Sequence, residues 1–356
     1  MAHDGEIFRR FKENPLLRPA DVRPSRGDFV VECLLNPGAF EYQGRIGLLL
    51  RVAERPAQEP GWLSVPIINA DREGGIEILR VRSDDPEVEY NDPRVFRYRG
   101  NAYLTTLSHL RLAWSDDGLS FTADPAPTLI GVGALETFGI EDVRVTEIGG
   151  TYYLTYTAVS PFGHGVNLIT TRDWKHFDRH GMIFPPANKD CALFPEKING
   201  QYWAIHRPST RGLGGNFIWT ASSPDALHWG NHQCIAATRA GSWDSARVGA
   251  GASPIKTDRG WLAIYHGADP QPRYALGLLL MDLENPARVF ARSVQPVMTP
   301  REPYELTGFF GNVVFTNGHV VRPNGEILMY YGASDEVVCG ATATVDELLA
   351  TLPPKT

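Results

Sequence analysis

The sequence predicts an all-β protein, a propeller assembled from repeated hairpins. Three observations carry that prediction. A unit of short apolar strand, glycine turn and aromatic strand recurs along the 356 residues. Apolar residues alternate in segments such as "TYYLTYTAV" and "GEILMYYGA" with the two-residue period of strands rather than the 3.6-residue period of helices. The chain is also rich in turn formers and aromatics, with 35 Gly, 27 Pro, 8 Trp, 13 Tyr and 16 Phe, as expected of many short strands joined by turns.

Residues 1–27 precede the first unit and form an N-terminal extension. Charges run through "MAHDGEIFRRFKENPLL", and it holds no apolar run of signal-peptide length. The units are then "NPGAFEYQGRIGLLLRV", "DPRVFRYRGNAYLTTLS", "DVRVTEIGGTYYLTYTAV", "LFPEKINGQYWAIHRPS", "SPIKTDRGWLAIYHGA" and "NVVFTNGHVV" with "NGEILMYYGAS". Their turn glycines, Gly44, Gly100, Gly150, Gly200, Gly260 and Gly325, are spaced by roughly 50 to 65 residues, the range of propeller blades rather than helical solenoids. "AWSDDGLSF", "TTRDWKHF" and "ASSPDALHW" each place Ser or Thr, Asp and then an aromatic at similar offsets, marking a third strand that turns into a fourth. The last element is a helix over "TVDELLATL", where Thr344 caps and Glu347 sits three residues on. One propeller domain is expected over 28–343, with a helical tail over 344–356. Six hairpins are visible, but the first and last can share the blade that closes the ring, so five or six blades fit.

Composition narrows function. A formal net charge of −7 argues against a nucleic-acid partner or an anionic membrane surface, so any bound anion needs a local basic cluster. Cys33, Cys191, Cys234 and Cys339 lie far apart without ligand spacing, which predicts free thiols in a reducing compartment and no metal site. With no stretch of eighteen apolar residues, a soluble cytoplasmic protein is expected. No P-loop, GxGxxG, GxSxG or HExxH is present.

The chemistry-bearing residues repeat too. "EYNDPRVF" and "GIEDVRVTEI" both set an acid two residues before an arginine at a strand start. In a propeller the innermost strands line one channel, so Asn36, Asp92, Glu141 with Asp142, and Ser253 are expected to converge. Asp-Pro is also ordinary turn chemistry, and Asp142 with Arg144 also reads as a blade-to-blade ion pair. Convergent acids near many aromatics point to sugar chemistry. A second, basic set comprises Arg144, Lys189, His206 with Arg207, Arg247 and His266. Together these residues suit a phosphate or another anion.

With these residues in hand, the chain resembles glycoside hydrolase family 130, five-bladed β-propeller enzymes that phosphorolyse or hydrolyse β-mannosides. The likeness runs from about Asn36 to Asp335. Its carriers are "NPGAF" with "LLLRV", "NDPRVF", "GIEDVRV", "NKDCALFPEKINGQYWAIHRP", "WDSARVGAGASPIKTDRGWLAIYHGA", "YALGLLLMDLENP", and "FGNVVFTNG" with "YYGASD". The resemblance implies an inverting mechanism with Asp92 as catalytic acid, its proton relayed by a hydroxyl of the departing mannose. It makes Asn36, Arg51, Asp142 and Asp335 sugar contacts, and Asn91, Glu141 and Glu196 join them as substrate-side candidates. Arg144, Lys189, His206, Arg247 and His266 are the candidate phosphate holders. No cofactor is implied beyond inorganic phosphate as co-substrate, and a homo-oligomer is expected from the family likeness alone. One departure stands out: Asn167 occupies about the place where phosphorylases of the family tend to carry an arginine. That leaves open a hydrolase using Glu141 or Glu196 as base, and a non-catalytic mannoside-binding lectin. The "FPPANKDCALFPEKING" segment favours β-1,2-linked over β-1,4-linked manno-oligosaccharides.

Overall fold

The computed structural model describes residues 6–209 and 213–353. The N-terminal extension and C-terminal tail are thus described except for residues 1–5 and 354–356. The chain is all-β. Four successive antiparallel sheets form in chain order from hairpin-connected strands, and a last one recruits a strand from the N-terminal segment. The first sheet holds Phe29–Tyr42, Arg45–Pro56, Leu107–Ser115 and Thr122–Ala123, and the second Ile140–Ile148, Thr151–Ser160, Gly163–Thr171 and Asp178–Phe184. The third holds Asn188–Leu193, Tyr202–Pro208, Ile218–Ser223 and Gly230–Ala236. Arg247–Ala250, Gly260–Ala268, Tyr274–Met281 and Val289–Arg292 make the fourth, with the short Ile255–Thr257 paired alongside. The fifth pairs Val314–Val321, Glu326–Ala333 and Val337–Thr344 with Arg9–Arg10.

Local chemistry explains the hairpins. Gly44, Gly150, Gly200 and Gly325 have positive φ at the turn between a sheet's first two strands, and Gly260 has it where the short Ile255–Thr257 turns into Gly260–Ala268, a conformation that a side chain would strain. The Ser/Thr-x-Asp signature builds the third turn. Asp117 accepts the backbone N–H groups of Leu119 and Ser120, Asp173 those of Lys175 and His176, and Asp225 those of Leu227 and His228. Asp282 repeats the device in the fourth sheet by accepting from Glu284 and Asn285. At the C-terminal helix, Val345–Ala350, Thr344 and Glu347 make the expected reciprocal cap.

The count of six hairpins resolves here. "DPRVFRYRGNAYLTTLS" does not belong with the other five: its strands, Val95–Tyr98 and Asn101–Leu104, join Val88–Asp92 in a separate three-stranded sheet. With the pair Trp62–Ile68 and Ile76–Arg82, that sheet is inserted between the second and third strands of the first sheet. Asp92 therefore does not stand at the head of an innermost strand, as its likeness to Asp142 suggested.

Apolar burial joins the sheets in cyclic order. One cluster packs Phe40, Leu49 and Leu110 of the first sheet against Val143, Leu154 and Ile169 of the second. Others join second to third through Leu168 and Leu193, third to fourth through Ile205 and Leu279, and fourth to fifth through Leu278 and Met329. The fifth returns to the first through Tyr330 and Leu48. A belt of polar contacts also links the sheets. Asn317 Nδ2 donates to the Asn36 carbonyl at 3.1 Å, and Asn36 Nδ2 to Asp142 Oδ1 at 3.1 Å. Arg144 donates to Asp190 Oδ1 at 3.2 Å and to the Ala250 carbonyl at 2.8 Å. The innermost strands bulge where the belt residues sit, with the pairing register shifting around Asn36, Asp142, Asp190 and Asn317. A bulge re-aims a side chain out of the pleat, and Asn36, Asp142 and Asp190 take positive φ there.

Candidate active site

The bulged ends of the innermost strands, the loop before Val314 and the tip of the inserted sheet enclose a cavity of about 240 Å³. Of the residues singled out from sequence, Asn36, Arg51, Asp92, Glu141, Asp142, Lys189, Arg207, Arg247 and Asp335 line it. Arg94, Asp190 and Tyr274 line it as well.

One wall is built around Arg51. Its guanidinium donates to Asp142 Oδ1 at 2.9 Å, Glu141 Oε1 at 2.8 Å and Ser108 Oγ at 3.0 Å, so one cation holds two neighbouring carboxylates. Burial alone would push the Asp142 carboxyl up, but Arg51, with Lys189 and Arg144, outweighs it and leaves the group below the usual range. Asp335 differs. Among the described residues no ion pair or hydrogen bond engages its side chain, and it follows Ser334 in a turn where both residues have φ of 50°. Burial, helped by the Asp142 charge and opposed by Arg51 and Arg94, pushes its carboxyl up to about 6. Strained backbone around an unpaired enclosed acid is typical of a working site rather than of a stabilising one.

The opposite wall is basic. Lys189, Arg207 and Arg247 reach the cavity, and Arg247 Nη1 donates to the Tyr274 hydroxyl at 2.9 Å. Behind them lies Asp190, ion-paired with Arg207 at 2.9 Å and Arg144 at 3.2 Å. Burial would raise the Asp190 carboxyl, yet Arg207, His266 and Arg144 hold it well below the usual range, so it stays an anion. The Nε atoms of Arg207 and Arg247 are buried without an acceptor among the described residues. Buried donors ordinarily find partners; the cations that line this wall, Lys189, Arg207 and Arg247, suit an anion held in the cavity.

Asp92 ends the strand Val88–Asp92 at the tip of the insert. It accepts the Arg94 backbone N–H at 2.9 Å, Arg94 Nε at 3.0 Å and Arg94 Nη2 at 2.9 Å. The Arg94 hydrogen bonds, opposed by burial, hold its carboxyl below the usual range.

Six other candidates do not reach the cavity surface. Arg144 is fully buried behind it, spent on Asp190 and on the carbonyls of Asp142, Ala250 and Gly251. His266 is buried against Asp190, and burial pulls its imidazole down to about 4, so it is neutral near pH 7. His206 stacks on Phe184 and meets Asn188, and burial with nearby His232 pulls it down to about 3. Glu196 is a surface residue paired with Lys256 at 2.6 Å, and Asn91 is exposed on the insert. Ser253 turns its hydroxyl to the Leu193 carbonyl. Asn167 donates to Glu136 at 2.7 Å within a buried cluster with Tyr156 and Arg179, so the residue standing for the expected arginine is engaged elsewhere.

Asp190 and Asn317 escaped the sequence reading, although a signal was present. "NPG", "DVR", "DCA" and "NGH", beginning at Asn36, Asp142, Asp190 and Asn317, put Asn or Asp at the same bulge of four strands.

Comparison with known proteins adds an independent line. The model of a family described as β-1,4-mannooligosaccharide phosphorylase matches residues 77–353. The chain is 44% identical to a β-1,2-mannobiose phosphorylase of Listeria innocua over 96% of this chain and 97% of that one. It is 39% identical to a 1,2-β-oligomannan phosphorylase of Thermoanaerobacter sp., over 66% of this chain and 78% of the relative. Among solved structures, the Listeria innocua β-1,2-mannobiose phosphorylase in complex with β-1,2-mannobiose superposes with a TM-score of 0.93. That match covers 97% of this chain and 98% of that one at 43% identity.

Proposed function

The chain belongs to glycoside hydrolase family 130, and on that premise we propose that it is an inverting phosphorylase of β-1,2-linked manno-oligosaccharides. The observation that carries the reading is the basic wall: Lys189, Arg207 and Arg247 line the same cavity as Asp92. Phosphorolysis needs one proton donor and one anion pocket, whereas inverting hydrolysis needs a second carboxylate free to activate water. Of the two bases weighed, Glu196 lies at the surface and Glu141 is engaged by Arg51, while Asp335, the cavity acid without an ion pair among the described residues, is assigned to the sugar in this reading. The two relatives named above both carry phosphorylase names for β-1,2-linked substrates, which favours that linkage over the β-1,4 linkage of the family description. The five sheets packed in cyclic order are read as the blades of a five-bladed β-propeller forming one catalytic domain over 28–343. A product retained as a sugar phosphate suits a cytoplasmic enzyme, and among the described residues no helix is long and apolar enough to cross a membrane.

In this reading the mannosyl unit sits against Asn36, Arg51, Asp142 and Asp335, with phosphate held by Lys189, Arg207 and Arg247. A phosphate oxygen forms a bond to C1 from the face opposite the glycosidic oxygen as the C1–O bond breaks. The departing oxygen takes a proton from Asp92 through a sugar hydroxyl, giving α-mannose 1-phosphate and a shortened sugar. Asp190 enforces the charge of Arg207 without itself competing for protons, because it remains ionised. The test is one incubation of β-1,2-mannobiose with and without inorganic phosphate, followed by proton NMR. Consumption only with phosphate and an α-configured mannose 1-phosphate are expected. Free mannose at equal rates in both tubes establishes a hydrolase, and inertness in both leaves the binding-only reading.

A further inference from the structure

We propose that Arg94 is a positioning residue for the reaction, clasping Asp92 in one orientation and keying the inserted sheet that bears it to the anion wall. The inference rests on the assignment of Asp92 as proton donor, and so on the phosphorylase reading above.

Three observations converge on Arg94. Its backbone N–H and two guanidinium nitrogens all donate to Asp92, occupying both carboxylate oxygens in a planar fork. The same guanidinium lies 3.9 Å from the centroid of the Phe310 ring. Phe310 in turn packs against the buried cluster of Ala268, Tyr274, Val313 and Phe315, and Tyr274 accepts the hydrogen bond from Arg247. A continuous path of contact therefore runs from the acid on the insert to a cation of the anion wall. The insert needs such a tie, because it projects from the first sheet as an appendage while the acid must meet groups supplied by other sheets. The main chain of the turn does not depend on the guanidinium: Thr105 donates its N–H to the Arg94 carbonyl and its hydroxyl to that of Pro93. Truncating the side chain should therefore leave the turn in place.

The clasp also fixes when Asp92 carries a proton. Arg94 is the charged group facing Asp92, and Asp335 and Tyr274 are the other titratable groups facing Arg94. A cation that stabilises the carboxylate lowers its proton affinity, so removing the cation raises it. The alkaline limb of the activity profile, where the donor loses its proton, then moves to higher pH.

Three variants test this. Arg94→Ala should lose roughly a hundredfold in kcat, the scale of a misplaced reacting group, with its alkaline limb displaced to higher pH. Arg94→Lys keeps charge but not fork or stack, and should lose kcat with a smaller displacement. Phe310→Leu spares the Asp92 contact and should lower kcat several-fold without moving the limb. Circular dichroism melting confirms that each variant is folded. An Arg94→Ala profile that superimposes on the wild type after scaling overturns the clasp, since a purely structural role lowers activity equally at every pH. Phe310→Leu with wild-type kcat overturns the keying. Both readouts can be followed as phosphorolysis or as hydrolysis, so failure of the phosphate requirement is distinguishable from failure of the Arg94 assignment.

Discussion

Asp92-Pro93-Arg94 and Asp142-Val143-Arg144 share a spacing and almost nothing else. At the tip of the insert, Arg94 curls back onto its own aspartate, and both side chains stay accessible at 37% and 41% relative exposure. On the innermost strand of the second sheet, the bulge turns Asp142 towards Asn36 and Arg51. Arg144 there leaves the Asp142 carboxylate alone, donates to the main-chain oxygen of Asp142 and spans to the third and fourth sheets. An acid held by one neighbour at an accessible tip can exchange its proton as ligands come and go. An acid locked among buried partners serves as a fixed charge. On the proposed reading, the difference between proton donor and fixed charge lies in which strands each motif pairs with, not in the motif.

The sharpest way to break the comparison is to neutralise each acid. Asp92→Asn should lower kcat by roughly a thousandfold or more, within the reach of acid catalysis combined with positioning. Its melting temperature should stay close to wild type. Asp142→Asn should lose stability as well as activity, because Arg51 and Asn36 lose a buried partner. The arginines should separate next. Arg144→Ala leaves the buried Asp190 to Arg207 and strips hydrogen bonds from the Asp142, Ala250 and Gly251 carbonyls, and should cost about 1–3 kcal/mol in denaturant titration, the scale for leaving buried polar groups unpaired. On the anion wall, Arg247→Ala should raise the phosphate KM by roughly tenfold or more, about 1.4 kcal/mol or more, with the sugar KM changed less. Saturation curves in each substrate decide it. The smallest effect concerns Asp335, whose carboxyl is near 6 when folded against about 3.9 unfolded. The folded state holds this proton more tightly, so the stability it contributes is present below the unfolded value and is lost as pH rises through about 6. Asp335→Asn lacks that loss, and should gain on the wild type by on the order of 1 kcal/mol between pH 4 and pH 7, read from melts across that range.

Hairpins were legible because their causes are local. A positive-φ glycine at Gly150 or an Asp turn at Asp173 needs only a few neighbouring residues. The insert was not legible as an insert, since "DPRVFRYRGNAYLTTLS" has the same grammar as the sheet hairpins and differs only in pairing with Val88–Asp92 rather than a sheet neighbour. Within the site, residues reaching the cavity from the strand ends were found, as with Asn36, Lys189 and Asp335. Those that fail to reach it carry the same residue types at similar offsets. His266 follows Tyr265 much as Arg207 follows His206, yet only the longer side chain clears the wall. Asp190 stayed hidden beside Lys189 because nothing in a short stretch tells a buried counter-charge from a solvated one.

The hydrogen bond from Asn317 to Asn36 spans 281 positions of the chain. It has a consequence for how the working molecule comes into being. Individual hairpins close in microseconds, whereas contacts between distant segments wait on the search of a long chain. The cavity borrows residues from all five large sheets and from the inserted three-stranded one, so no partly folded chain holds the whole site. On dilution from denaturant, far-ultraviolet dichroism should recover first and sugar cleavage last, with turnover reporting that the two ends of the polypeptide have met.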